Sequence, residues 1–195
     1  MKNNQETAPK SHSAWLTAAR VVAFLFVIGI SIYVVLMPEE QTRNLESYGY
    51  LGTFLISILA NATVIIPVPG LLIVFSMAAR FNPLLIALAA GAGAAIGELS
   101  GYLAGFSGQG IIEDQRRYDQ MVAWMRKNGP LTILVLAFIP NPLFDLAGMI
   151  AGALRMPIYR FLFWALIGKV LKMAVFAYAG AGVFSSDWLI RWFGH

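Results

Sequence analysis

Two long apolar stretches of this chain are each interrupted by a pair of prolines one residue apart. The interruptions are IIPVPG at residues 65–70, inside residues 50–80, and FIPNP at residues 138–142, inside residues 131–154. Proline lacks an amide donor and clashes with the preceding turn, so such a pair ends a helix more often than it bends one. Each stretch is therefore predicted to form two half-helices joined at a turn. The turn prolines are Pro67, Pro69, Pro140 and Pro142.

Half-helices of this kind are too short to cross a bilayer, since each crossing needs about 20 apolar residues. The economical arrangement is a re-entrant hairpin, which enters and leaves the membrane on one side. The sequence predicts one hairpin over residues 50–80 and another over residues 131–154. Apolar stretches of spanning length occur at residues 15–37, 84–106 and 158–183, which are predicted to be transmembrane helices.

The composition agrees with a membrane protein. Of the 195 residues, 58% are hydrophobic and only 12% are charged, which is too little polar surface for a soluble domain of this size. One membrane domain is predicted over residues 50–183, with a disordered tail at residues 1–14 and a C-terminal tail at residues 184–195. The chain has no cysteine, which excludes disulfides, cysteine nucleophiles and thiolate metal sites.

The two interrupted stretches also resemble each other. Pro67 and Pro140 lie 73 residues apart, and Arg80 and Arg155, which follow the two hairpins, lie 75 residues apart. Each arginine is followed by a proline and then by an apolar helix that ends in a tyrosine and a glycine. We interpret this pattern as a duplicated unit that consists of a hairpin plus a helix.

Loop charge predicts how the two units lie in the membrane. The tail before the first span is basic, whereas residues 38–49 hold three glutamates and one arginine, so the N-terminus is predicted to be cytoplasmic. Cytoplasmic loops of membrane proteins are enriched in lysine and arginine. If the first hairpin returns to the outside, the basic loop around Arg116 and Arg126 is cytoplasmic, in agreement with this enrichment. The second hairpin then enters from the inside. The predicted fold is an all-α integral membrane protein, an inverted repeat of re-entrant hairpin plus transmembrane helix, preceded by one N-terminal transmembrane helix.

Residues 111–127, within the basic loop, have apolar side chains at helical spacing and charges on the other face. This pattern predicts a short interfacial helix on the membrane surface. A solvated connector helix would show the same pattern, so both interpretations stay open.

Glycine recurs every fourth residue along part of the span 84–106. Because lipid gives no hydrophobic drive between helices, such a stripe allows the close backbone contact that holds helices together. We predict that the stripe packs against a hairpin and fixes the walls of the cavity that the hairpins enclose. Its members are Gly93, Gly97, Gly101 and Gly105.

Four ionisable residues lie at membrane depth: Glu98, Asp145, Lys169 and Lys172. Each such group costs at least about 2.5 to 3.5 kcal/mol on insertion scales and normally faces a partner or water. These groups could have a purely structural role, in which Asp145 pairs with Lys169 or Lys172 and Glu98 pairs with the remaining lysine. Such pairs would hold the two repeated units together. Alternatively, they could line a polar path for a headgroup or an ion. Uncharged hydrogen bonds along such a path would come from Asn61, Thr63 and Asn141.

Catalysis is poorly supported by the sequence. The two histidines, His12 and His195, lie near the termini, so neither a histidine triad nor a histidine metal cluster is predicted. Asp145 is the one aspartate inside a span, whereas an intramembrane aspartyl protease needs two. The sequence has no glycine-rich phosphate loop and no nucleic-acid-binding motif. We predict a protein that is not an enzyme and uses no metal, cofactor or nucleic acid.

Several short motifs resemble one family of membrane proteins. The string GELSGYLAG at residues 97–105, together with the paired Pro-x-Pro hairpins, is similar to the DedA or SNARE-associated family, whose shared unit is called the VTT domain. The string IPNPLFDLAG at residues 139–148, with LIGK and KM inside residues 166–173, most resembles the eukaryotic vacuole membrane protein branch of that family. The resemblance covers about residues 50–183, the predicted VTT-like domain.

The resemblance implies two opposed re-entrant hairpins around a membrane-embedded polar cavity. For the vacuole membrane protein branch it implies energy-independent phospholipid scrambling. For the bacterial DedA branch it implies transport of a lipid carrier or phospholipid, often coupled to proton flow. That branch usually has acidic residues beside its first turn and arginines around its second. At these places the present chain has Ala60, Leu71, Ala137 and Leu143, which favours scrambling.

The leading hypothesis is passive phospholipid scrambling through a polar groove between the hairpins. The alternative is a secondary transporter, coupled to protons or ions, for a lipid carrier or small solute; the further alternative is a membrane assembly protein without transport activity. The expected partners are membrane phospholipids, a homo-oligomer is left open, and the short tails favour a prokaryotic cell membrane. The predicted headgroup path consists of Asn61, Glu98, Asn141, Asp145, Lys169 and Lys172.

Overall fold

The structure, a computed structural model, describes four continuous stretches of the chain. They are residues 46–62, 70–108, 115–141 and 143–184. Eight isolated positions between residues 21 and 36 are also described, and all eight are helical. The rest of the N-terminal helix predicted at residues 15–37 lies outside the described residues. The same holds for residues 1–14, residues 185–195, Thr63 and the turn prolines Pro67, Pro69 and Pro142.

Seven helices make up the four stretches, which contain no strand. The predicted all-α fold is therefore confirmed for this part of the chain. Within it, two helical spans are long and apolar enough to cross a membrane, Pro83–Phe106 and Ile158–Val183. The helices are α1 (Glu46–Ala62), α2 (Gly70–Ala78), α3 (Pro83–Gly97), α4 (Leu99–Phe106), α5 (Gln115–Phe138), α6 (Leu143–Ala153) and α7 (Ile158–Phe184).

The span Pro83–Phe106 contains α3 and α4, which meet at Glu98. Asn82 caps α3, because its side chain accepts hydrogen bonds from two first-turn amides at 3.0 and 3.3 Å. Pro83 follows at the first helical position, where no amide donor is needed. Glu98 keeps right-handed helical angles and its amide donates to the Ala94 carbonyl at 3.2 Å. The backbone therefore stays close to helical across the junction.

The start of α1 is held by the turn that precedes α3. The Tyr50 ring meets the Phe81 ring edge-on, with centroids 5.8 Å apart, and its hydroxyl accepts a hydrogen bond from the Asn82 amide at 3.2 Å. α1 begins at Glu46, four residues before the predicted start of the first hairpin. These contacts between Tyr50 and the turn before α3 stabilise the start of α1, which includes this additional turn of helix.

Helix α5 is kinked at Asn128, whose φ of −156° and ψ of 71° are not helical. Pro130 follows and has no amide hydrogen to donate to the preceding turn. The Thr132 Oγ1 lies 2.9 Å from the Asn128 carbonyl oxygen and 3.3 Å from that of Trp124, so its one hydrogen supplies a donor at the kink. The kink lies between the predicted interfacial helix, residues 111–127, and the first half of the second hairpin, which is predicted to begin at residue 131.

The first half of α5 is packed onto the rest of the molecule. Met121 and Met125 are buried in a core that includes Ile133 and Phe161. The apolar side of the predicted interfacial helix therefore faces protein at these two methionines. Residues 111–114 of that predicted helix lie outside the described residues.

The second interrupted stretch contains two helices, as its prolines predict. α5 ends at Phe138 and α6 begins at Leu143. Asn141 caps α6, because its Oδ1 accepts a hydrogen bond from the Leu143 amide at 2.9 Å. Its Nδ2 donates to the carbonyls of Ile139 at 2.8 Å and Leu136 at 3.2 Å. Asn141 thus forms hydrogen bonds with the end of α5 and with the start of α6.

The helices pack crosswise. α1 packs on α3 and α5 packs on α7, so the first helix of each interrupted stretch contacts the long helix that follows it. The second helices do the reverse, since α2 packs on α7 and α6 packs on α4. α3 and α7 also contact each other. Two core clusters result, one with Val74, Ile86 and Met173 and the other with Ile133, Phe144 and Phe161.

Glycines that lie 75 residues apart make equivalent close contacts. Gly93 of α3 is so near the Phe54 carbonyl of α1 that a Cβ would overlap it. Gly168 of α7 meets the Leu134 carbonyl of α5 in the same way, and Gly97 extends the contact between α3 and α1. Only glycine allows backbones this close, so each long helix is tied to the first helix of its own stretch.

A second pair of glycines, also 75 residues apart, makes the crossed contacts. Gly105 of α4 meets the Met149 carbonyl of α6, and Gly180 of α7 meets the Phe75 carbonyl of α2. Gly101 differs from its neighbours in the stripe, because a Cβ there would stand 3.8 Å from the nearest atom, a backbone oxygen. That distance is an ordinary van der Waals contact.

Candidate functional site

Two charged side chains in the described part of the chain are buried, and they contact each other. Glu98 lies at the junction of α3 and α4, and Lys169 lies in α7. The Lys169 Nζ donates a hydrogen bond to the Glu98 Oε1 in a salt bridge. Because isolated charges at membrane depth are costly, pairing is expected there. Of the pairings that the sequence left open, the structure contains Glu98 with Lys169.

Lys169 has two further partners. Its Nζ donates to the Asn61 Oδ1 of α1 at 3.0 Å and lies 4.3 Å from the centroid of the Phe144 ring of α6. Asn61 is itself fixed, because its Nδ2 donates to the Ser57 carbonyl at 2.9 Å. The ammonium is thus surrounded by a carboxylate, an amide oxygen and a ring face, which together satisfy a buried cation. One lysine therefore links α7 to α1, α6 and the α3–α4 junction.

Asp145 and Lys172 flank this buried pair, and both are half-buried. Asp145 directly follows Phe144 in the first turn of α6, and its backbone carbonyl lies beside Gly101 of α4. Lys172 lies one turn beyond Lys169 on α7. The two groups interact electrostatically with Lys169 and with each other. Neither forms a salt bridge with another residue in the described ranges.

Asn141, a predicted path residue, forms its hydrogen bonds within the turn between α5 and α6. Pro140 is exposed in the same turn. The other turn prolines lie outside the described residues. The structure thus brings three of the six predicted path residues into direct contact and places two beside them, whereas Asn141 acts as a helix cap.

Phe144 is a site residue that sequence reasoning missed. Its ring is buried, lies under Lys169 and packs against Phe161 with centroids 6.4 Å apart. Tyr102, also buried in this region, donates its hydroxyl hydrogen to the Met156 carbonyl at 2.5 Å and thereby joins α4 to the turn between α6 and α7. The one indication in the sequence was that Phe144 is next to Asp145. An aromatic residue in an apolar stretch cannot be distinguished from a core residue by sequence, so its contact with a lysine was not predicted.

The cluster holds two carboxylates and two ammonium groups. Glu98 and Lys169 are fully engaged with each other, so they suit a structural task. Asp145 and Lys172 are half-buried charges that form no salt bridge in the described ranges. Among the described residues, no group of three or more histidine, cysteine, aspartate or glutamate side chains could hold a metal ion. The charged and polar side chains of the cluster are of the types that recognise a ligand by charge and hydrogen bonding.

Two helical spans of membrane-crossing length, with a pair of charges buried among apolar helices, are features of an integral membrane protein. The VTT domain family matches residues 66–182, which is more than half of the chain. The chain therefore belongs to the VTT domain family of membrane proteins. The match confirms the resemblance to the DedA or SNARE-associated family that the short motifs indicated.

Two relatives from Arabidopsis thaliana are similar to parts of the chain. Vacuole membrane protein KMS2 is 35% identical over 100 residues, which covers 42% of this chain and 24% of that protein. Vacuole membrane protein KMS1 is 52% identical over 40 residues, which covers 20% of this chain and 10% of that protein. The chain thus spans at most about a quarter of the length of either relative. Their names agree with the vacuole membrane protein branch. No solved structure matches the chain.

Proposed function

We propose that this protein is a passive phospholipid scramblase, which lets lipid headgroups cross the bilayer without nucleotide, metal or ion gradient. One observation carries the proposal: four ionisable side chains gather between apolar helices, and two of them, Asp145 and Lys172, are only half-buried and form no salt bridge in the described chain. A headgroup crosses hydrocarbon only where protein groups replace its water. These two half-buried charges would supply such groups while the acyl chains stay in the lipid.

The proposed architecture is an inverted repeat of two re-entrant hairpins, each followed by a transmembrane helix. The reciprocal packing of α2 on α7 and of α6 on α4 supports it, as do the glycine contacts that recur at an offset of 75 residues. In this arrangement residues 50–80 and 131–154 enter from opposite sides, after an N-terminal span at residues 15–37. Inverted repeats with broken helices at the midplane are typical of transport folds.

Each side chain of the cluster has a separate task in this proposal. The bonded Glu98 and Lys169, held by Asn61 and Phe144, keep the helices at a fixed spacing. Asp145 and Lys172 contact the headgroup as it passes. Asn141 starts α6 and thereby sets the direction in which the first turn of that helix, with Asp145, enters the groove.

A vesicle assay tests the proposal. The purified protein is reconstituted into liposomes that contain a trace of acyl-chain-labelled fluorescent lipid, and a membrane-impermeant quencher is added without any gradient. We expect the inner-leaflet label to become accessible to the quencher. Protein-free vesicles are the first control, and vesicles with an encapsulated soluble dye show that the quencher does not leak. An inner-leaflet label that stays protected, as in protein-free vesicles, would contradict the proposal.

A coupled transporter is the second candidate function. The observation that favours it is the pair of carboxylates, Glu98 and Asp145, inside the apolar region, since carboxylates that gain and lose protons can couple transport to a gradient. Transport that collapses when a protonophore is added would favour this candidate. If neither scrambling nor gradient-driven transport occurs, a membrane assembly role remains, and a stable partner should be isolated with the protein.

We propose a prokaryotic cell membrane as the location, with the N-terminus in the cytoplasm. The relatives KMS1 and KMS2 are named as plant vacuole membrane proteins, so an internal membrane of a eukaryotic cell is the competing location. Membrane fractionation separates the two, and accessibility of an N-terminal tag in sealed vesicles gives the orientation. The number of copies in the working unit is measured by light scattering in detergent.

A further inference from the structure

The two charges beside the buried pair have opposite signs and lie on different helices. Asp145 is in the first turn of α6, and Lys172 is in α7, one turn beyond Lys169. The Lys169 Nζ lies 4.3 Å from the ring centroid of Phe144, which directly precedes Asp145 in the chain. The contact brings the start of α6 to the side of α7 that also carries Lys172. An anionic group on α6 and a cationic group on α7 therefore lie near the Glu98–Lys169 contact, and they interact electrostatically with Lys169 and with each other.

The central contact leaves neither Glu98 nor Lys169 available to a ligand. Both are buried, and Lys169 already has a carboxylate, the Asn61 amide oxygen and an aromatic ring as partners. Asp145 and Lys172 are half-buried, and neither has a salt-bridge partner among the described residues. A ligand that binds here thus meets one negative and one positive group, which interact electrostatically with each other but form no salt bridge.

We propose that Asp145 and Lys172 form a subsite for zwitterionic phospholipid headgroups. Lys172 binds the phosphate, and Asp145 binds the ammonium of a phosphoethanolamine or phosphocholine group. The inference rests on the proposed scrambling function and adds the class of lipid that is carried. A zwitterionic headgroup has one group for each side chain, so both protein charges are matched along its passage.

An anionic headgroup such as phosphoglycerol fits this subsite less well. Its phosphate also pairs with Lys172, but it has no cation for Asp145, whose carboxylate then repels the lipid. Selectivity is a difference between two binding free energies, and an unmatched charge against the wrong lipid is an effective way to create that difference. Asp145 is therefore the residue that separates the two lipid classes, whereas Lys172 serves both.

The test compares the scrambling rates of lipids with different headgroups in one preparation. Acyl-chain-labelled phosphatidylethanolamine, phosphatidylcholine and phosphatidylglycerol are each used as trace probes in the same host vesicles, because a label on the amine would remove the ammonium. We expect both zwitterionic probes to move faster than phosphatidylglycerol, by about threefold or more. The ratio of the rates does not depend on the amount of folded protein.

Variants then assign the preference to its residues. Asp145→Asn should bring the ratio close to one, mainly because phosphatidylglycerol moves faster, while Asp145→Glu should keep the preference. Lys172→Gln should slow all three probes. Asp119→Asn and Lys127→Gln, the same chemical changes at exposed positions of α5, are the matched controls and should leave the ratio unchanged.

Each outcome has a separate meaning. Equal rates for all headgroups in the wild-type protein, or a preference that Asp145→Asn leaves intact, would overturn the subsite while scrambling itself stands. Loss of the preference in Asp145→Glu as well would assign the effect to packing rather than charge. If the wild-type protein scrambles no probe, both the proposed function and the subsite are wrong.

Discussion

Lys169 of α7 donates a hydrogen bond to Glu98, 71 residues earlier in the chain, and both side chains are buried. Removing one partner leaves an uncompensated charge among apolar helices, which costs about 3 to 5 kcal/mol for buried pairs. We expect Glu98→Gln and Lys169→Met each to lower the free energy of unfolding by an amount of this order. Unfolding of the purified protein in detergent, followed by tryptophan fluorescence, provides the measurement.

The double variant Glu98→Met with Lys169→Met gives the matched comparison. Apolar residues of similar size often replace a buried pair at little cost, so the double variant should be more stable than Lys169→Met alone. Lys127→Met, at an exposed position of α5, should behave like the wild type. Single variants that unfold together with the wild type would show that the pair is unimportant for stability.

Two glycines of the same helix should respond differently to one added methyl group. A Cβ at Gly105 would overlap the Met149 carbonyl, whereas a Cβ at Gly101 would stand 3.8 Å from its nearest neighbour. Gly105→Ala should therefore destabilise the protein by about 1 to 3 kcal/mol, the usual cost of overpacking, while Gly101→Ala should be close to neutral. Thermal unfolding in detergent measures both, and equal effects at the two positions would contradict the packing of α4 on α6.

Asn141 has a role as a helix cap that can be separated from contact with a headgroup. Asn141→Ala should cost about 1 kcal/mol of stability through loss of the cap, while Asn141→Asp keeps an acceptor for the Leu143 amide and should stay near wild type. Asn82, which caps α3 away from the charge cluster, is the matched control, and Asn82→Ala should cost a similar amount. A scrambling rate that falls in well-folded Asn141→Asp would instead place the side chain on the path.

The inverted arrangement can be tested because the chain has no cysteine, so single cysteines serve as reporters without further changes. Arg80 follows α2 and Arg160 lies in the first turn of α7, and both are exposed. In the proposed topology Arg80→Cys is outside and Arg160→Cys is cytoplasmic. An impermeant maleimide applied to sealed right-side-out vesicles should label the first at once and the second only after permeabilisation. Lys127→Cys should behave like Arg160→Cys, and labelling of all three from one side would exclude the inverted repeat.

The helix breaks were predictable from the sequence because proline acts locally. The prolines at residues 138–142 marked the place where α5 ends and α6 begins. The kink at Asn128 falls in the gap between the predicted interfacial helix, which ends at residue 127, and the predicted hairpin, which begins at residue 131. The sequence did not indicate that the Thr132 hydroxyl donates across this kink. A proline shows where a backbone donor is missing, but the sequence alone does not show which side chain supplies a substitute.

The gathering of charges was also predictable, but not its pairing. Glu98, Asp145 and two lysines at membrane depth implied a common cluster, because each needs a partner. Which lysine reaches Glu98 depends on how α7 is rotated, and that rotation is set by backbone contacts at Gly168 and Gly180. Glycine spacing can indicate that helices approach closely, as along Gly93 to Gly105, but it does not show which distant carbonyl each glycine contacts.

Asn141 shows a different limit. A polar residue in an apolar stretch suggested a lining group, but the start of a helix needs the same residue type. Asn82 also directly precedes a proline, Pro83, and its side chain caps the helix that follows. Comparison of the two asparagines would have favoured the capping role from sequence alone.

The crossed packing of α2 on α7 and of α6 on α4 has a consequence for biogenesis. During synthesis α2 and the α3–α4 span leave the ribosome long before the helices that cover them, and Glu98 must enter the bilayer without Lys169. The first half of the protein therefore lacks its contacts with α7 until that last helix is inserted. A nascent chain truncated before α7 should be retained by insertion factors and degraded, so quality control would recognise this protein by its unpaired carboxylate.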